Sequence, residues 1–372
     1  MPKVSVVMSV FNGARTLREA VDSILSQTFT DFEFIIIDDG STDGTWGILN
    51  GYDDPRIRLL RNEENIGLTR SLNKGLALVQ GEYIARMDAD DISLPERLER
   101  QVDCLDSRPE VGVVGTNYWE LTPTNERRPM VVPLTDMSVR LWLLFHNAIV
   151  HSSAMVRRTT LEQIGYYDEA LPYAQDYDLW TRVAVVSELA NLPDRLLLLR
   201  TGVSAGVSVG CLQQQQFVAD SISRRVINDL LERPELSLRQ VQRLRRFVQP
   251  LMAGSHSSID AQALNDFVRV VRRFMTLYTP IASSGKDGMA EIEAWLLDVA
   301  WSCVRCGISS EEWQLSRRLL TLLLKRCPSV LSKVRGCRLL AAYILGPRVT
   351  RVLFRVLGRS PSESAVRRQP SG

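Results

Sequence analysis

Four short apolar runs, each ending abruptly in polar residues, limit how this chain can fold more tightly than its composition does. Val4–Val10 is continuous rather than alternating, as strands of a parallel sheet covered on both faces are, and it ends in Phe11-Asn12-Gly13. Leu17, Ala20, Val21, Ile24 and Leu25 then recur at helical spacing. Phe32–Ile37 runs into Asp38-Asp39-Gly40-Ser41-Thr42-Asp43, and Ile57–Leu60 precedes Asn65-Ile66-Gly67-Leu68 and a helix predicted through about Val79. Tyr83–Met87 runs into Asp88-Ala89-Asp90-Asp91. Strands alternating with helices in this way predict βαβ units around a parallel sheet, an α/β fold. Open sheets of that kind bind ligands outside the carboxyl ends of their strands. Asn12, the Asp38-Asp39 pair and the acids after Met87 all fall at those ends.

The acidic stretch is the sharpest of these features. Three carboxylates within four residues repel one another unless positive charge neutralises them. A divalent cation does this economically, because Mg²⁺ takes one or two carboxylates together with substrate phosphates. The other reading is a plain acidic surface turn. Arg86, just before the acids, can steady them or reach phosphate oxygens. Ser93-Leu94-Pro95-Glu96 has the form of a capping box and predicts a helix directly after the turn. Asn65 reads either as part of the ligand edge or as a helix N-cap.

In combination, Val4–Asn12, Asp38–Asp43, Asn65–Leu68 and Asp88-Ala89-Asp90 resemble the family 2 glycosyltransferases of bacterial type. The resemblance covers roughly Met1 to Arg200. It implies a GT-A fold, a Rossmann-like and mostly parallel sheet, and a nucleotide-sugar donor, with UDP as the nucleotide. It implies that Phe11, Asn12, Asp38, Asp39 and Asn65 line the nucleoside pocket. Asp88 and Asp90 would serve Mg²⁺ or Mn²⁺ on the donor diphosphate, with Asp88 also counted among the donor contacts. Family members show Glu-Asp ahead of x-D-L-W, with that Asp as general base. Here the stretch is Gln175-Asp176-Tyr177-Asp178-Leu179-Trp180, so the base position is intact and the Glu is replaced. Asp176 is therefore the catalytic candidate, and its other reading is an N-cap. Asp178 and Arg182 stand at i and i+4 and are expected to pair. His151 is either a contact to diphosphate or acceptor, or a hydrogen-bonded structural residue.

The implied activity is inverting transfer of a sugar to a hydroxyl of a glycan or lipid-linked acceptor, in cell-surface polysaccharide synthesis. Two rivals stand beside it. A nucleotidyltransferase would carry a Gly-rich loop with a basic residue after the first strand, where this chain has Ser9-Val10-Phe11-Asn12-Gly13-Ala14. A non-catalytic binding module of the same fold would be consistent with Gln175.

At 372 residues, two domains are expected. We place them at 1–205, the GT-A domain, and 210–372, a helical region with a basic tail. Helices are predicted over Leu212–Glu232, Ser237–Pro250, Asp260–Tyr278, Met289–Cys306, Glu311–Lys325 and Val330–Leu357. Trp295, Trp301 and Trp313 are expected in the core. The region lacks the Q-x-x-R-W motif of processive synthases, which favours addition of one sugar at a time. Cys303 and Cys306 have zinc-ligand spacing without a second pair, and no secretory pattern is visible, so a cytoplasmic, reduced protein is expected. Arg348, Arg351, Arg355 and Arg359 fall on one sector of a helix. That helix either lies on an anionic membrane at its inner face or packs with a solvated basic side. Nucleic acid is not an expected partner, because Phe354 is the single aromatic residue interleaved with these arginines, too few for a base-stacking surface.

Overall fold

The computed structural model describes residues 1–202, 211–233, 235–252, 260–278, 290–296, 299 and 321. The chain divides into two compact units, Met1–Leu238 and Arg239–Gly372.

The first unit is built on β1 (Val4–Val10), β2 (Phe32–Asp38), β3 (Ile57–Arg61) and β4 (Tyr83–Asp88), all parallel, in the order β3-β2-β1-β4. All residues of β1 are buried, because the strand is covered on both faces. Val4, Val6, Met8 and Val10 pack with Leu17, Ala20, Val21 and Ile24 of α1 (Leu17–Leu25) and with Leu98, Val102 and Leu105 of the helix Arg97–Ser107. Val7, Ile35 and Ile37 face the other way, onto Leu72 and Leu76 of the helix Leu68–Leu76 and onto Leu179 and Trp180. Helix α2 (Thr45–Leu49) lies between β2 and β3 in the chain; Leu68–Leu76 is α3 and Arg97–Ser107 is α4. The register sets Val10 beside Asp38, Ser9 beside Asp88 and Asp38 beside Arg61. With neighbouring strands about 4.8 Å apart, the polar ends of four strands form one level edge.

Beyond β4 the sheet turns mixed. It continues through β5 (Ile92–Ser93), β6 (Val111–Leu121), β7 (Arg127–Met130), β8 (Met155–Arg157) and β9 (Glu188–Arg200). β8 is antiparallel to β4 and β6, while β9 runs parallel to β6 and antiparallel to β5. β7 is fully exposed and pairs only with β6. Apolar runs alone do not reveal these strands, since β9 contains Asn191, Pro193 and Asp194 and β7 contains no buried residue.

Ser93 does not open a capped helix, contrary to expectation. Ile92 and Ser93 pair with Leu198 and Leu197, and α4 begins only at Arg97. The Ser93 hydroxyl accepts from the Gln27 amide instead of capping a helix, so tertiary pairing overrides the local signal. Asn65 does not cap α3 either. Gly67 is the N-cap residue, and the Asn65 side-chain oxygen Oδ1 accepts its N–H at 2.9 Å.

Helices α5 (Asp136–Leu143), α6 (Arg158–Ile164) and α7 (Gln175–Val186) follow, with a 3-10 turn at His151–Ser153. Helix α8 (Leu212–Leu231) belongs to the first unit, which thus extends past residue 205. There Ile222 and Ile227 are buried and the Ser223 hydroxyl donates to the Leu144 carbonyl. In the second unit, α9 (Leu238–Met252) and α10 (Ala261–Tyr278) are helical as expected. Phe267 sits edge-on between Phe247 and Trp295 there, so Trp295 does join that packing. Trp301, Trp313, the Cys303-Cys306 pair and the basic tail lie outside the described residues.

Candidate active site

The loops after β1 and β2 are stitched together by their own backbones. Asn12 adopts a positive φ of 51°, one that Asn tolerates better than most residues. Its N–H donates to the Ser41 hydroxyl at 2.9 Å, and its side-chain oxygen accepts the Thr42 N–H at 2.9 Å. Gly13 N–H donates to Thr45 Oγ1 and Ala14 N–H to Asp43. Phe11, 43% exposed, projects beside this junction.

Asp38 is buried, with one oxygen accepting the Ser41 N–H at 3.0 Å. The other lies 3.3 Å from Arg61 Nε without the alignment of a hydrogen bond. Asp39, 2% exposed, accepts from Asn62 Nδ2 at 2.8 Å and from the N–H groups of Ile66 and Gly67 at 3.0 Å each. Gly40 permits this closeness. It has a φ of 70°, and a Cβ there would meet the Glu64 carbonyl carbon at 2.5 Å. Asp39 thus ties the β2 loop to the Asn65 loop and the start of α3. A carboxylate has about four lone-pair sites, so room for roughly one further donor remains.

At the end of β4, Arg86 is buried and donates to Asp88 at 2.5 Å. Burial opposes ionisation of Asp88, but the cations Arg86 and Arg97 outweigh it and hold its pKa below the usual range. Its side chain remains 30% exposed. Burial and the neighbouring Asp88 push Asp90 up to about 6. Asp91 points inward, where it accepts from the Ser152 hydroxyl and from the Arg200 N–H at 2.9 Å. Burial and its two acidic neighbours raise its pKa well above normal. Underneath lies Arg97, wholly buried, donating to the carbonyls of Arg86 and Ala154. The Thr16 hydroxyl donates to the Ala89 carbonyl and fixes the turn against the start of α1.

Among the described residues no three His, Cys, Asp or Glu side chains form a metal cluster. Asp88 and Asp90 supply hard oxygen donors from a partly open edge. They therefore fit a divalent cation shared with substrate phosphate rather than a closed protein cage.

The third side of the site comes from α7. Ala174, at a φ of 53°, turns the chain into the helix, and Asp176 lies in its first turn rather than at the N-cap. Asp176 accepts from Asn147 Nδ2 at 2.7 Å and from the Tyr177 N–H at 2.8 Å. Burial is the main reason its pKa rises to about 6, and the charge of Asp88 adds to it. Asp88 and Asp176 are thus within electrostatic reach of each other. His151 shares a 2.7 Å hydrogen bond with the Tyr167 hydroxyl. Burial, helped by Arg86, pushes it down to about 3, so the ring is neutral at ordinary pH. Asp178 is buried and pairs with Arg182, as its spacing predicts, but also with Arg225 of α8.

Motif reading misses several partners: Asn62, Asn147, Ser152, Tyr167 and Arg225. Each is one polar residue in an unremarkable stretch, and only the fold brings it to the edge. Gln101 is another, buried and donating to the carbonyls of Val114 and Ser153.

Residues 5–165 match the family model for glycosyl transferase family 2. An uncharacterized glycosyltransferase of Haemophilus influenzae is 28% identical over 302 residues, 74% of this chain and 93% of its own length. EpsE of Bacillus subtilis, described as a candidate glycosyltransferase, is 36% identical over 187 residues, 49% of this chain and 66% of its own. Among solved structures, S. aureus TarS 1–349 in complex with UDP-GlcNAc superposes with a TM-score of 0.52 at 18% identity, over 95% of this chain and 91% of that one. At that identity the likeness speaks for the fold, a GT-A α/β sheet followed by helices. The matched segment contains the whole edge from Asn12 to Asp90, and residues 5–165 form a glycosyl transferase family 2 domain.

Proposed function

We propose that this protein transfers a single sugar from a UDP-sugar to a hydroxyl, with inversion at the anomeric carbon and Asp176 as general base. The observation that carries this reading is the placement of Asp176. Its carboxylate sits in the first turn of α7, oriented by Asn147 and within reach of the charge on Asp88, with a pKa of about 6. A base poised near the working pH both stays largely ionised and accepts a proton readily. The acceptor oxygen would approach from the α7 side and lose its proton to Asp176 as it attacks. The diphosphate would leave toward the edge of β1, β2 and β4.

Phe11, Asn12, Asp38, Asp39 and Asn65 would surround the nucleoside, with Asp39 offering the capacity its protein partners leave. A divalent cation on Asp88 and Asp90 would supply Lewis-acid stabilisation of the leaving diphosphate. Arg86 keeps Asp88 ionised for that role. The UDP preference is carried over from the TarS complex. The acceptor is a glycan or a lipid-linked sugar of surface polysaccharide synthesis, met from the cytoplasmic face. No helix among the described residues is long and apolar enough to cross a membrane.

The test is UDP release from a panel of UDP-sugars with Mg²⁺, with Mn²⁺ and with chelator. Release that needs the cation and is lost in Asp176→Asn is expected. Tight donor binding with no release under any condition would leave a binding module. Pyrophosphate exchange with UTP would point instead to nucleotidyl transfer.

A further inference from the structure

Asp178 carries a buried charge that the chemistry above does not use. One oxygen accepts from Arg182 Nε at 2.8 Å and the other from Arg225 Nη2 at 2.7 Å. Arg225 comes from α8, outside the segment 5–165 that the family model matches. The same nitrogen of Arg225 also donates to Thr181 Oγ1 at 2.9 Å, so it grips α7 at two points on one turn. Its side chain is 48% exposed, whereas that of Asp178 is 3% exposed.

The network continues from Asp178 toward the site. Arg182 donates to the carbonyls of Ile164, Gly165 and Tyr166, at 3.0, 3.1 and 2.8 Å. These three carbonyls close α6 and lead directly into Tyr167, whose hydroxyl holds His151. Tyr167 is further fixed by Asn73, which donates to its carbonyl at 2.9 Å. Asp178 thus stands between two parts of the site. Toward the start of α7 lies Asp176, and through Arg182 lies the Tyr167–His151 pair.

We infer that Arg225 is a positioning residue for the transfer reaction: by neutralising and holding Asp178 from α8, it fixes the start of α7 and the segment leading into Tyr167 in the geometry the site requires.

This inference rests on the reading of Asp176 as the base. Removing one partner of a buried, hydrogen-bonded charge leaves the other uncompensated. Without Arg225, Asp178 would draw water or pull Arg182 from the three carbonyls it caps. Either change loosens the first turn of α7, where Asp176 needs its approach fixed. The titratable and charged groups facing Asp176 are Asp88 of β4 and Tyr167 of the loop after α6. Neither is altered by the substitution, so a change in the titration of Asp176 would report its own solvation.

The experiment uses the full chain with the UDP-sugar that the wild type hydrolyses fastest, and compares Arg225→Ala, Arg225→Lys and Asp176→Asn. For Arg225→Ala, kcat should fall about tenfold to hundredfold, the scale of a small misplacement of a reacting group. KM for the donor should stay within about twofold, since no donor-edge residue is touched. The acid limb of kcat should move to lower pH as Asp176 becomes better hydrated. Arg225→Lys, which keeps the charge but loses the forked contact, should recover part of kcat. Amide exchange in the first turn of α7 and at Tyr167 should quicken in Arg225→Ala, a readout that needs no turnover. Unchanged kcat and acid limb, or unchanged exchange at both places, would overturn the inference. A lower Tm with both kinetic features intact would overturn it too, leaving Arg225 as ordinary helix packing. If Asp176→Asn keeps full activity, the assignment of the base fails instead, whatever the Arg225 variants do.

Discussion

The edge of β1, β2 and β4, the proposed donor edge, and the α7 side of this site are built in opposite ways. At the donor edge, Asn12, Asp38, Asp39 and Asn65 make their hydrogen bonds almost entirely within a few tight loops. Asp39 uses most of its capacity on the protein, so this edge is held in shape by the protein's own hydrogen bonds. On the α7 side, Asp176 depends on Asn147, His151 on Tyr167, and Asp178 on Arg225, each brought in by a different element. Binding shape and chemical poise are therefore held by separate means. Damage to the first should appear mainly in stability and donor affinity, and damage to the second mainly in rate.

The largest effect expected from that contrast is in Asp176→Asn. General bases contribute roughly 10²–10⁴ in rate, so transfer should fall by that factor while donor affinity, measured by calorimetry with UDP, is retained. Stability should not fall with it. The folded pKa of Asp176, about 6, lies above the ordinary value of 3.8, so the native state binds more protons across that window. Stability from this group is therefore fully present below the unfolded pKa and is lost as pH rises through the folded one. A neutral Asn removes that cost, and Tm at neutral pH should hold or rise.

Asp39→Ala should behave in the reverse sense. It strands the donors of Asn62, Ile66 and Gly67. Each unsatisfied buried donor costs about 1–3 kcal/mol, so a stability loss on the order of 3 kcal/mol is expected in chemical denaturation, with weakened UDP binding. A variant with wild-type stability and affinity would dissolve the contrast from this side.

A smaller effect lies in pH. With the pKa of Asp176 at about 6, kcat should be half-maximal near that pH and decline about tenfold per unit below it. Donor affinity should not follow the same curve. Smallest is Ser41→Ala, which removes the acceptor of the Asn12 N–H. A loss of about 1 kcal/mol in stability, with kcat unchanged at saturating donor, would mark the division between the two sides more clearly.

The first four strands and the polar steps after them can be read directly from the chain. Their hydrophobic runs are nearly uninterrupted and their turns chemically specific, as at Asp38-Asp39-Gly40 and Asp88-Ala89-Asp90-Asp91. The start of α4 is misleading, because Ser93-Leu94-Pro95-Glu96 has local capping chemistry, yet Ser93 pairs with Leu197 across the fold. Strands β6 to β9 escape notice because their pairing across the sheet compensates for polar residues that weaken each run alone.

Local periodicity and turn chemistry, which act over a few residues, are enough to fix the parallel half of the sheet and the level of its polar edge. Turn chemistry also brings Asp39, Asp88 and Asp90 forward as candidates, whereas Asp176 comes forward only through the family resemblance. Folding is what turns Asp91 inward to Ser152 and Arg200 while Asp88 stays partly open. Folding likewise sets Asn147 against Asp176 and brings α8 back to Asp178. Such choices depend on burial and on which distant donor arrives to satisfy a buried carboxylate, and no spacing along the chain encodes them.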